Sequence, residues 1–142
     1  MRNESGIRWP LDLRLFAGIF LIWSALLFLR AISGAHPGSS EPFQDVVLGV
    51  KLYGHPARIG MALQALIFGS FSIGILLQKR WGLFLALIYW AYVGASQLLF
   101  MIFYFSEGSQ REHVHNAAVL LPIMLAILFY VWYRSRPLLR RA

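Results

Sequence analysis

Four apolar stretches, each long enough to cross a bilayer, dominate the sequence. They cover residues 15–33, 58–77, 81–105 and 113–133. The first carries Arg30 near its end and the second opens on Arg58; the other two hold no Lys, Arg, Asp or Glu. A helix rises about 1.5 Å per residue, so roughly 20 residues traverse a hydrocarbon core of about 30 Å. Lipid offers a bare backbone no hydrogen bonds, so each stretch is expected as a helix. The alternation of a transmembrane barrel is missing. Composition agrees: the 142 residues are 58% hydrophobic and 13% charged, with mean hydropathy +0.61. A soluble domain carries about 25% charge, and a chain this short has too little interior to hide the surplus apolar mass. Disorder needs low hydrophobicity and is excluded as well. The expected fold is an all-α membrane protein, one domain over 1–142, built as a four-transmembrane-helix antiparallel bundle.

The connections refine this plan. Gln78-Lys79-Arg80 joins the second and third stretches and Ser106 to Glu112 joins the third and fourth. Short connections make antiparallel neighbours. Gly108 is a helix stop, and Ser109 with Glu112 reads as a capping box for the fourth helix. Pro10 suits a first helical turn, and Asp12 falls near the positive end of the first helix dipole. The long connection, Gly34 to Ala57, contains Phe43, Val46, Val47 and Val50 at i, i+3, i+4 and i+7. That spacing predicts a short amphipathic surface helix over 41–53, started by Ser40 and ended by Gly54 and Pro56, lying on the membrane or lidding the bundle mouth. The run Leu15 to Leu29 before Ser33-Gly34-Ala35 also resembles a signal peptide, but Arg30 intervenes. Small residues four apart, Ala65/Gly69, Ser70/Gly74 and Ala91/Ala95, predict close helix contacts, and Pro122 a kink.

Charge orients the chain. The net charge is +7. With the amino terminus inside, Arg2, Arg8, Arg14, Lys79, Arg80, Arg134, Arg136, Arg140 and Arg141 are cytoplasmic. Arg30, Lys51, Arg58 and Arg111 are then outside. The positive-inside rule favours this arrangement, and Trp9, Trp81 and Trp132 fall at the inner interface. Both termini are expected in the cytoplasm of a prokaryotic cell. The basic balance belongs to the membrane rather than to nucleic acid, because no basic stretch is interleaved with an aromatic platform. Cysteine is absent. Disulfide, thiolate-metal and dithiol redox chemistry are therefore excluded.

Function is less legible. In this orientation all four histidines, His36, His55, His113 and His115, lie outside, with Glu41, Asp45, Glu107 and Glu112. Arg30, Gln64, Tyr92, Gln97 and Asn116 form the candidate ligand pocket, in the outer half of the spans. Intramembrane polar groups face the bundle interior or a wet cavity; alternatively they are interhelical hydrogen bonds of about 0.6–2 kcal/mol each. His113 and His115 are two apart and point to opposite faces, so no metal site and no cofactor are expected. No phosphate loop, catalytic triad or zinc motif is present. The leading expectation is a non-enzymatic accessory or assembly component whose partners are the bilayer and a membrane protein or a second copy. The alternatives are a carrier or channel for a small polar or anionic solute, and an enzyme or cofactor binder using the outer histidines.

Overall fold

The computed structural model describes residues 9–33, 44–105 and 111–140. The elements are α1 (Leu11–Ser33), β1 (Gln44–Val47), β2 (Val50–Tyr53), α2 (His55–Leu76), α3 (Arg80–Tyr104) and α4 (Arg111–Arg140). All four helices are long and apolar enough to cross a membrane. The chain is a multi-pass membrane protein.

The helix ends follow local chemistry. Pro56 stands in the first turn of α2, where a missing N–H costs nothing. At the far end Gln78 takes φ 57°, while Gln78 N–H donates to Ile75 and Lys79 N–H to Gly74. This is a Schellman stop with glutamine where glycine is usual. α4 runs through both Pro122 and Pro137 and so extends past the expected end at 133. The Ser109–Glu112 cap lies outside the described residues.

Helix packing uses small residues at two crossings. On α1, Ser24 donates to the Ala65 carbonyl at 2.6 Å, and a Cβ on Gly69 would come within 3.0 Å of its hydroxyl. The Ala65/Gly69 notch therefore seats α1 on α2. Gly74 and Gly82 bring the end of α2 onto the start of α3, where a Cβ on Gly82 would lie 2.6–2.7 Å from α2 backbone. Ala91 and Ala95 are exposed, so that pair is not a crossing. α4 packs on α3 and meets α1 through the Phe16–Tyr130 ring pair, 5.6 Å between centroids, and through a polar node. Arg134 is ion-paired to Asp12, its Nε donating at 2.6 Å, and Tyr130 donates at 3.1 Å. The apolar windows of α2 and α3 are 39% buried and those of α1 and α4 only 11%, so α2 and α3 are the centre and the others flank them.

Aromatic rings fill the middle. Phe20 stacks on Phe68 at 5.4 Å and meets Trp90 edge-on at 5.3 Å; Phe68 meets Tyr89 at 4.8 Å. Each such pair contributes about 0.5–1.5 kcal/mol beyond its burial.

The connection between α1 and α2 departs from expectation. Residues 44–53 form an antiparallel β-hairpin, not an amphipathic helix, with Gln44 opposite Tyr53 and Val47 opposite Val50. Two residues remain for the turn, Leu48 at φ 51° and Gly49 at φ 78°, as a type I′ turn requires. Val46, Val47 and Val50 suit a strand better than a helix. Their helical spacing is a coincidence that the glycine turn overrides.

Candidate polar cleft

Strand alternation gives the hairpin two faces. Asp45, Val47 and Leu52 share one, which packs on α2. Leu52 joins a small core of Ala31, Ala57 and Met61, and Gly60 makes room for Asp45: a Cβ there would stand 2.8 Å from Oδ2. Gln44, Val46 and Lys51 share the other, toward α3 and α4. At the tip, the Gly49 N–H donates to Ser96 Oγ at 3.1 Å, and a Cβ on Gly49 would lie 2.7 Å from Leu99 Cβ. Only glycine offers both that positive φ and that approach. Ser96 lies about 12 Å, eight residues at about 1.5 Å each, from the end of α3. The hairpin thus dips between the helices.

A cleft of about 230 Å³ opens where the hairpin meets α3 and α4. Its polar lining is Gln44, Asp45, Lys51, Gln97 and Asn116; its apolar lining is Val46, Phe100, Ala117 and Leu120. The Lys51 ammonium stands 5.8 Å from the Phe100 ring centre. Asp45 turns its carboxylate the other way, onto α2. Its Oδ1 accepts from Val46 N–H at 2.9 Å, and Gln64 Nε2 donates to Oδ1 at 3.2 Å and to Oδ2 at 3.0 Å. Burial pushes the Asp45 pKa above its ordinary value of 3.8, partly offset by the Val46 N–H, the Gln64 amide and the Arg30 charge.

The residues singled out in the sequence divide around the hairpin. Gln97 and Asn116 line the cleft together. Gln64 binds Asp45 from α2, and Arg30, in the last turn of α1, acts on the same carboxylate through its charge. Tyr92 packs in the aromatic core, 6.1 Å from the Tyr89 ring. Asp45 and Lys51 were placed outside by the charge count but not in the candidate pocket, because residues 41–53 were expected as a surface helix. The signal that finds them is the Leu48-Gly49 turn, which folds their segment back on the helices. His36, Glu41 and Glu107 lie outside the described residues, as do the side chains of Glu112 and His113. His55 and His115 are exposed, and no three His, Asp or Glu gather among the described residues. Comparison with protein families, curated proteins and solved structures finds no match to this chain.

Proposed function

We propose that the chain is a non-enzymatic membrane component that binds a small polar group in the hairpin cleft, and serves a membrane complex as an accessory subunit rather than conducting a solute. The observation that carries this reading is the convergence of Gln44, Lys51, Gln97 and Asn116, from the four elements β1, β2, α3 and α4, on one cleft. Against conduction stands the ring cluster of Phe20, Phe68, Tyr89 and Trp90, which occupies the middle of α1, α2 and α3. The carrier reading would need a polar path there. The spans alternate in direction, with both termini cytoplasmic and the cleft outside. The Asp12–Arg134 pair and the Gly74–Gly82 contact support the alternation; the Lys and Arg distribution supports the sidedness.

Because the chain has no cysteine, single cysteines report cleanly. Gln97→Cys and Asn116→Cys should react with a membrane-impermeant thiol reagent added outside intact cells, and Phe68→Cys should not. Unreactive cysteines at both cleft positions would sink the binding reading. Rapid reaction at position 68 would restore the carrier.

A further inference from the structure

We propose that the cleft binds an uncharged primary carboxamide, held between the side chains of Gln97 and Asn116. This rests on the cleft being a binding surface, as read above, and adds the chemistry of its occupant. Asp45 turns its carboxylate away onto α2, which leaves Gln44, Lys51, Gln97 and Asn116 as the polar side chains of the cleft. Gln44 and Lys51 are engaged in contacts of their own. Gln97 on α3 and Asn116 on α4 are not: neither carboxamide has a hydrogen-bond partner among the described residues. The open groups of the cleft are therefore two amides, each with two N–H donors and an oxygen with two lone pairs. A cation entering here meets the Lys51 ammonium, and an anion must draw Lys51 from the contacts it makes. An uncharged group with a donor and an acceptor side by side satisfies both amides and brings no ion to desolvate.

The walls favour a carboxamide over a sugar. Sugar hydroxyls can bond the same amides, but a sugar ring also packs its C–H face on an open aromatic ring. Phe100 is only 3% exposed, and the Lys51 ammonium already stands 5.8 Å from its centre. The volume of about 230 Å³ equals roughly eight waters at about 30 Å³ each, room for one carboxamide on a short stem. Leu120, at the cleft, and Ile123, three residues along the same face of α4, are 43% and 52% exposed. They carry the apolar lining into the membrane-spanning part of α4. A carboxamide borne on an apolar host meets both surfaces, as an Asn or Gln side chain on a partner's transmembrane helix does. A small soluble amide carries the same group without the host.

The test places the full chain in lipid vesicles at pH 7, with a fluorescent donor on Tyr53→Cys, beside the cleft. Acceptor-labelled Leu/Ala transmembrane peptides are added, carrying Asn, Leu, Asp or Lys at one position near their outer end, and energy transfer reads binding. The Asn peptide should bind about tenfold more tightly than the Leu peptide, equivalent to about 1.4 kcal/mol. The Asp and Lys peptides should bind no better than the Leu peptide. Gln97→Leu and Asn116→Leu should each erase most of the preference, and Asn116→Gln should keep it. Asn116 is exposed, so its replacement leaves the packing intact. In a second arm, excess propionamide or glycerol is added without peptide and the donor emission is followed. A response to propionamide alone, lost in Asn116→Leu, with all peptides binding alike, keeps the carboxamide and assigns it to a solute. Equal binding of the Asn and Leu peptides with no response to propionamide overturns the proposal. So does a preference for the Asp or Lys peptide, or a response to glycerol equal to that to propionamide. If any of these occurs while cysteines at positions 97 and 116 label from outside, the carboxamide falls and the binding cleft stands.

Discussion

Asp45 holds a forked bond from Gln64 and one from Val46, yet burial outweighs them and lifts its pKa above 3.8. In the unfolded chain the group ionises near that ordinary value. Between the two values the folded protein binds more protons, so stability falls as pH rises through the window and the charge is a net cost above it. Asp45→Asn keeps an acceptor for Gln64 and removes the cost. Thermal unfolding in detergent should show the variant more stable at pH 7 and its pH profile flatter on the acid side. Parallel profiles for parent and variant would refute the assignment. Leu48 offers a second gain, because a leucine at φ 51° carries a strain of about 1–2 kcal/mol. Leu48→Asn should stabilise by up to about 1 kcal/mol, read from the same unfolding curves, since asparagine tolerates this conformation and suits the turn. Neither residue stands out in the sequence. The expected surface helix leaves Asp45 at the membrane surface, and only the approach of β1 to Gly60 buries it.

At the scale of the element, the hairpin depends on α3 as much as on its own strands. Gly49→Ala would place a methyl against Leu99 and demand φ 78° of a residue with a Cβ. Strain and overpacking together should cost about 2–4 kcal/mol. Ser96→Ala leaves the Gly49 N–H without its acceptor and should cost about 1–3 kcal/mol. Both variants should speed thiol labelling of a cysteine at position 97, because a detached tip opens the cleft. Unchanged labelling would mean that the tip does not close it. The spans were legible because hydropathy and length alone decide them, and the Ala65/Gly69 crossing because small residues are its mechanism. The hairpin was not, since Phe43, Val46, Val47 and Val50 satisfy a helical period locally. What selects the strands is contact with α2 and α3, distant in sequence. Tyr92 shows the same limit from the other side. Its depth was readable, but which face of α3 joins the aromatic core is fixed by Phe68 and Tyr89.

For the whole molecule, two polar groupings stand toward opposite ends: Asp12, Tyr130 and Arg134 at one, and Arg30, the hairpin, Gln97 and Asn116 at the other. This makes sidedness testable with single cysteines. Tyr53→Cys, beside the cleft, should react with impermeant reagent in intact cells, whereas Lys79→Cys, in the turn from α2 to α3, should react only after permeabilisation. The reverse pattern would invert the topology and move the cleft to the cytoplasm. The dipping hairpin also imposes an order of assembly. Its tip bonds to Ser96, a residue synthesised 47 positions after Gly49. Unpaired backbone groups are too costly to wait in hydrocarbon, so residues 44–53 must stay in water until α3 has entered the bilayer beside α2. The connection made early therefore takes its place only after a later helix has entered, and a nascent chain halted before α3 should leave this segment open to added protease.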